Sequence, residues 1–330
     1  MDTSTHIAMG FGLAGLASLD PAVAADPALA QAVLAGTLLG SNAPDFDYAV
    51  KLAKGQGMYL RHHRAASHSV PALFLWGILL TACIWPFFAG ISAAHLFGWT
   101  LAAVLIHVFV DLFNSYGTQA GRPFLRKWIT FDAIYIFDPF IMALHVIGFV
   151  LWGSGFPAGT VFAIIYFIMI GYMVQRAFAS KSVKEKAASG IAPEYTKVKA
   201  IPTISWGIWN VCAESESSFI TGEYRNGKIE WIHHFEKDDL SSPVIQASIQ
   251  DQNVQHFLVN AEMAHPLFWR RSDGYEVRWF DVRYRTKNHY PFMAIVKLDH
   301  EGNISESAAG WLHHVQTLEK PGSLNESVSH

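Results

Sequence analysis

The sequence predicts an α-helical polytopic membrane bundle followed by a C-terminal β-rich cytoplasmic domain. Three observations carry that expectation. Ionisable residues are spread unevenly over the 330 positions: 1–180 hold 8 Lys+Arg, 8 Asp and no Glu, whereas 181–330 hold 16 Lys+Arg and 19 Asp+Glu. Val70–Ile106 and Pro139–Gln175 each run 37 residues without a formal charge. From Ile201 the apolar pattern shifts towards the two-residue period of strands. With 51% hydrophobic and 15% charged residues the chain is not a disordered one. Its net charge of −3 speaks against a general nucleic-acid binder. The two cysteines, Cys83 and Cys212, make neither a disulfide framework nor a CxxC zinc site.

In chain order, His6–Leu19 and Ala28–Ala43 are apolar, rich in Gly and Ala, and shorter than a bilayer crossing. They predict two short helices packed closely against the bundle. No basic segment precedes His6 and Asp2 is acidic, so a cleaved signal peptide is not expected. One spanning helix takes about 20 apolar residues. Each uncharged run therefore holds two spans around a turn, at Ala89-Gly90-Ile91-Ser92 and at Gly153-Ser154-Gly155-Phe156-Pro157. The expected spans lie near 70–89, 93–113, 135–152 and 158–177, within a membrane domain over 1–180. Helices of a soluble core keep a charged face, which these lack.

Orientation follows from the cations. Lys51, Lys54, Arg61 and Arg64 precede the first span, Arg122, Arg126 and Lys127 separate the second from the third, and Arg176, Lys181, Lys184 and Lys186 follow the fourth. The two turns carry none. The positive-inside rule then places all three basic segments and the C-terminus in the cytoplasm. The expectation is a multi-pass protein of the cell (inner) membrane, with the lipid bilayer as its partner. Beyond it come a linker over 181–199, a β-rich soluble domain over 200–315 and a disordered tail over 316–330. Ser218–Arg225 and Lys228–Phe235 flank Asn226-Gly227, a strong hairpin signal, and Tyr275–Arg285 and Pro291–Leu298 read as further strands. His233-His234 and His313-His314 are adjacent pairs; neighbouring strand side chains face opposite ways, so they read as surface histidines.

The polar residues left in the apolar half cluster. They are His6, Asp45 and Asp47 of Asn42-Ala-Pro-Asp-Phe-Asp47, the run Arg61-His-His-Arg-Ala-Ala-Ser-His-Ser69, the pair His107 and Asp111, and Asp138. Ionisable groups at membrane depth are costly and are functional candidates. His107 and Asp111 stand four apart on one helical face, which Asn114 shares. Imidazole plus carboxylate at that spacing suits Zn²⁺ or another transition metal, and equally suits a hydrogen bond within the helix. The topology places His68, Arg64, Asp45, Asp47, His107, Asp111 and Asp138 at one membrane depth. That favours a divalent metal centre, zinc first, of one to three ions. Paired metals clamp phosphoryl oxygens, and Arg64 suits a phosphate through paired hydrogen bonds, although it serves as well as a positive-inside anchor. Arg64 and Asp138 are the candidate catalytic residues. His95 and His145 fall elsewhere and read as packing or hydrogen-bonded core residues.

Met-Asp-Thr-Ser-Thr-His6, Ala-Pro-Asp-Phe-Asp47, His63-Arg-Ala-Ala-Ser-His-Ser69, His107-Val-Phe-Val-Asp111 and Phe113-Asn-Ser-Tyr-Gly-Thr-Gln119 resemble the YfhP/YdjM-type family of bacterial membrane-bound metal-dependent hydrolases. The likeness covers about residues 1–180. Arg122-Pro-Phe, Lys127-Trp128 and Phe137-Asp-Pro-Phe140 look closest to the YfhP branch, which carries a cytoplasmic C-terminal extension. The resemblance implies metal ligation by His6, Asp45, Asp47, His63, His68, His107 and Asp111. Its His- and Asp-rich pattern is also similar to that of zinc-dependent phospholipase C. One departure is Ser67, where the family usually has Thr; the hydroxyl is kept. The expected function is hydrolysis of a phosphoester in a lipid or lipid-linked substrate at the cytoplasmic interface. The alternatives are a transporter or channel, which would need polar residues through the bilayer, and a regulatory scaffold acting through the β-domain.

Overall fold

Four helices of the N-terminal region begin at an aspartate. Asp2 accepts from Ser4 N and Thr5 N and starts α1 (Thr3–Leu16). Asp20 starts α2 (Pro21–Ala25) and Asp26 starts α3 (Pro27–Gly40), each accepting from the first backbone amides. Asp138 starts α6 (Pro139–Gly153) in the same way. Three of the four are followed by proline, whose missing N–H costs nothing at the first helical position. Between them lie α4 (Val70–Ile84), extended by a 3-10 turn to Phe87, and α5 (Ala93–Asp111). The long helix α7 spans Ala158–Ser189.

The computed structural model describes residues 1–47, 64–237, 240–287, 289–313 and 315. The chain divides into two compact units, one of 1–47, 64–182 and 202–206, the other of 183–201 and from 207 onward. The tail expected over 316–330 lies outside the described residues, as do Lys51, Lys54 and Arg61.

In the first unit α1, α3 and α5 approach closely because small residues line the seams. A Cβ on Gly36 would lie 2.3 Å from Thr100 Oγ1, and one on Gly40 would lie 2.8 Å from the Thr100 carbonyl oxygen. Behind them Met9, Leu13, Phe162, Ile165, Tyr166 and Met173 form the main core. The outward faces are apolar as well: Phe74, Leu75 and Ile78 of α4 and Phe167, Ile170 and Phe178 of α7 are exposed. Such a surface suits lipid, where every backbone polar group must be satisfied within the helix.

Among the described residues three helices are long and apolar enough to cross a membrane: Val70–Phe87, Ala93–Asp111 and Ala158–Ser189. The third of the four expected spans is the short one. Helix α6 has 15 residues, about 22 Å at 1.5 Å per residue against a hydrocarbon core of about 30 Å. It starts at Pro139 rather than near 135, because Asp138 and Pro139 define its first turn. Helix α7 continues beyond the expected span 158–177 through the charged stretch to Ser189.

The second unit holds two four-stranded antiparallel sheets. The first runs β1 (Lys197–Pro202), β2 (Ile208–Glu214), β3 (Ser218–Arg225), β4 (Lys228–Glu236) in chain order. Asn226 and Gly227 both take positive φ, 51° and 80°, as the tight hairpin requires. Two short helices, α8 (Pro243–Ile249) and α9 (Gln252–Leu258), precede β5 (Ala264–Arg271), β6 (Gly274–Asp281), β7 (Phe292–Leu298) and β8 (Ile304–Trp311). At seven residues each, the two helices are too short to show a helical period in the sequence. Phe219 and Phe235 of the first sheet and Phe280 and Met293 of the second share one core with Tyr290. His233 is half-buried with Nδ1 2.8 Å from Tyr290 Oη, which corrects its reading as a surface residue, while His234 is exposed.

Candidate metal centre

Three segments of the first unit bring their polar residues together. After α3 ends, the 3-10 turn Ala43–Asp47 carries Asp45. The 3-10 turn Ala66–His68, immediately before α4, carries His68. The last turn of α5 carries His107 and Asp111. Trp76 Nε1 donates to the Ser67 carbonyl at 3.3 Å and meets Phe46 edge-on, tying the two turns to α4.

His68 Nε2 lies 3.4 Å from His107 Nε2. Each of these nitrogens is 3.6 Å from Asp45 Oδ1, and they are 3.5 and 3.6 Å from Asp111 Oδ2. A tetrahedral ion with bonds of about 2.0–2.1 Å holds its ligand atoms about 3.3–3.4 Å apart. The five separations are close to five of the six edges of such a tetrahedron, and all four ligand atoms lie within 4.8 Å of one another. Asp45, His68, His107 and Asp111 could therefore hold a metal ion.

The surroundings fit the same group. His107 Nδ1 is 2.7 Å from the Ser41 carbonyl oxygen, which can only accept, so the proton sits on Nδ1 and Nε2 presents its lone pair. Ser67 Oγ lies 3.0 Å from His68 Nδ1. Asp111 Oδ2 is buried with no hydrogen-bond partner among the described residues, and a buried carboxylate oxygen in that state is costly unless a cation meets it. Asp111 also ends a helix, where the macrodipole disfavours negative charge. His68, His107 and Asp111 are buried, whereas the Asp45 side chain is 23% exposed and marks the open side.

The other oxygen of Asp111 meets different groups. Oδ1 accepts from the Met1 ammonium and lies 3.3 Å from Arg64 Nη2 and 3.5 Å from His6 Nε2. His6 is buried, stacks on His107 with ring centroids 3.8 Å apart, and makes no side-chain hydrogen bond among the described residues. His6 thus stands beside the four-residue cluster, across Asp111 from it.

Arg64 is not a solvent-facing anchor. It is buried, with Nη1 donating to Asn114 Oδ1 at 3.1 Å, Nη2 to the Met1 carbonyl at 3.3 Å, and its guanidinium 5.5 Å from the Tyr116 ring. Asp138 is not brought to the cluster. Its Oδ1 caps α6 through Phe140 N and Ile141 N, and its Oδ2 accepts from Tyr172 Oη at 2.7 Å, so both oxygens are engaged structurally. Asp47 closes its 3-10 turn, but its side chain lies outside the described set, as does the whole of His63. His95 pairs with Asp20 at 2.7 Å and His145 bonds the Ile141 carbonyl at 2.8 Å, both as core residues. The sequence reading missed the Ser41 carbonyl and Met1, since main-chain groups leave no residue-type signal.

A helical membrane unit built round a buried His/Asp centre, with a separate β-rich unit after it, defines the class of protein. Residues 1–183 match the family model "YdjM inner membrane protein", and 243–321 match "YfhP C-terminal alpha/beta plait domain". The chain belongs to the YdjM inner membrane protein family. It is 39% identical over 321 residues to "Uncharacterized protein YfhP" of Bacillus subtilis (strain 168), covering 97% of this chain and 98% of that one. No solved structure matches.

Proposed function

We propose that this protein is a membrane-bound, metal-dependent hydrolase that cleaves a phosphoester in a lipid or lipid-linked substrate at the cytoplasmic interface. The observation that carries this reading is the set of five ligand-atom separations of 3.4–3.6 Å around one point, with Asp45 partly open. Two imidazole nitrogens and two carboxylate oxygens at tetrahedral spacing suit zinc. His6 stands ready for a further ion on Asp111 Oδ1, and Asp47 and His63 are proposed as its additional ligands. When bound, such an ion supplies Lewis acidity towards water and a phosphoryl oxygen.

The chain's own groups have separate tasks. Ser41 and Ser67 hold the two imidazoles against rotation. Arg64 keeps a positive charge behind Asp111, where it stabilises that carboxylate and, in this reading, an incoming phosphate. Asp45 faces the side from which substrate arrives. The lipid assignment rests on position: His68 immediately precedes α4, and His107 and Asp111 end α5, so the centre sits at the ends of two candidate spans. Headgroups lie at that depth.

The test is elemental analysis of protein purified in mild detergent without chelator, joined to a panel of phosphoesters and phospholipids. Near-stoichiometric zinc and hydrolysis that stops on chelation are expected. Metal-free protein, or metal-loaded protein inert towards the whole panel, overturns the reading. Reporter fusions after Lys186 are expected to behave as cytoplasmic; external behaviour would move the site to the other leaflet.

A further inference from the structure

The connection from α5 to α6 carries a feature independent of the metal centre. Between Asp111 and Asp132 the chain has three cations, Arg122, Arg126 and Lys127, and no acidic residue. Among the described residues none of these three side chains makes an ion pair. The loop is nevertheless well held. Thr118 and Ile129 pair through N–O contacts of 3.1 and 2.9 Å, Gln119 Nε2 donates to the Arg126 carbonyl at 3.0 Å, and Leu125 N donates to the Gly121 carbonyl at 2.8 Å. Phe131 N bonds the Leu112 carbonyl at 2.8 Å, which folds the loop back onto the end of α5.

This frame presents Phe124 and Leu125 at its tip, 84% and 58% exposed. Two adjacent large apolar side chains held outward by a hydrogen-bonded frame suit a non-aqueous occupant. The rim says which one. Exposed Phe131 and Tyr135 follow the three cations in the chain, the combination of aromatic and basic side chains that settles at a membrane surface. The loop also sits at the end of a candidate span, within reach of the headgroup layer.

We propose that loop 118–129 is a wedge that docks into an anionic lipid leaflet. Phe124 and Leu125 enter the acyl boundary, and Arg122, Arg126 and Lys127 take lipid phosphates. The attraction of each cation to an anionic surface adds to the apolar insertion.

The test uses the full chain in nanodiscs of phosphatidylcholine with or without phosphatidylglycerol. A spin label is placed by Leu125→Cys in a Cys83→Ala background, Cys212 being buried. With phosphatidylglycerol present, collisions with a water-soluble nickel chelate should fall several-fold below those of a label at exposed Lys228, while oxygen collisions stay high. Omitting phosphatidylglycerol, or combining Arg122→Gln, Arg126→Gln and Lys127→Gln, should return nickel collisions towards the Lys228 level. Equal nickel access at both positions in anionic discs overturns the proposal. So does protection from nickel and oxygen together, which marks a protein occupant. Insertion indifferent to both phosphatidylglycerol and the triple substitution overturns the headgroup assignment.

Discussion

Both units bury ionised groups, and they do so in opposite ways. In the C-terminal unit Asp281 is fully buried and the Arg283 guanidinium contacts both its oxygens at 2.6–3.0 Å. The same guanidinium reaches Glu262 at 2.9 Å, and Glu262 also takes Lys199 at 3.0 Å and Lys197 at 3.2 Å. Donors and acceptors answer one another. In the N-terminal unit Asp111 Oδ2 faces the two Nε2 atoms of His68 and His107 at 3.5 and 3.6 Å, too far for a hydrogen bond. A closed network stabilises a fold, whereas acceptors aimed at a common point short of bonding distance describe a place for a cation.

The contrast breaks if removing charge from either network has the same consequence. The largest effect is expected from Asp111→Asn. Loss of a ligand should lower metal affinity by more than the ~10–100-fold typical of an orienting partner and deplete the purified protein of metal, with membrane insertion unchanged. Elemental analysis of the purified variant reads this; full metal retention would make the cluster a hydrogen-bond network like the other one. Asp281→Asn should instead leave metal content intact. It strips the charge facing buried Arg283, and broken buried pairs cost about 3–5 kcal/mol. Earlier loss of amide protection in β5–β7 of the full chain, on hydrogen exchange, is the readout.

A third, smaller effect depends on pH. Burial first, and Lys237 second, pushes His265 from its usual 6.5 down to about 4. The unfolded chain therefore takes the proton first as pH falls. This contribution to stability is complete above pH 6.5 and is lost between 6.5 and about 4, by about 3 kcal/mol at 1.4 kcal/mol per unit. Glu262 is driven up by burial but further down by Arg283, Lys199 and Lys197, to about 2. Its contribution is present above 4.5 and lost only as pH falls from 4.5 towards 2. Hydrogen exchange across pH 7–4 should thus show a slope that His265→Gln flattens. An unchanged slope in that variant would assign the loss to other groups. The smallest effect is at Asp138: Asp138→Ala should cost about 1 kcal/mol as a lost helix cap and leave metal content alone. A metal-depleted Asp138→Ala would return this residue to the site.

Asp138 also shows where the sequence was legible and misread. Asp20-Pro21, Asp26-Pro27 and Asp138-Pro139 all open helices, and the shared dipeptide announces that role. Asp45 and Asp111 lack it: one stands after a proline and the other ends an apolar helix. The dipeptide marks three of the four capping aspartates; Asp2 caps α1 with no proline after it. Arg64 was legible as a site candidate but not as a buried residue, for another reason. Its burial depends on Asn114, fifty residues on, and on Met1, and no local pattern carries such a contact.

By itself the sequence determined what acts within a few residues. Uncharged runs specify helices suited to lipid, Asn226-Gly227 specifies a hairpin, and the spacing of His107 and Asp111 places them on one helical face. Each follows from a backbone period or a single turn. Tertiary structure alone decided that His68, 39 residues from His107, presents its Nε2 to the same point. It alone supplied the Ser41 carbonyl, 66 residues away, that sets the His107 tautomer. Those contacts exist because Gly36 and Gly40 let α3 and α5 close to backbone distance, bringing the turn after α3 to the last turn of α5. Convergence of ligand atoms to within a few tenths of an ångström is a sum of such packing distances, and no single stretch of sequence contains that sum.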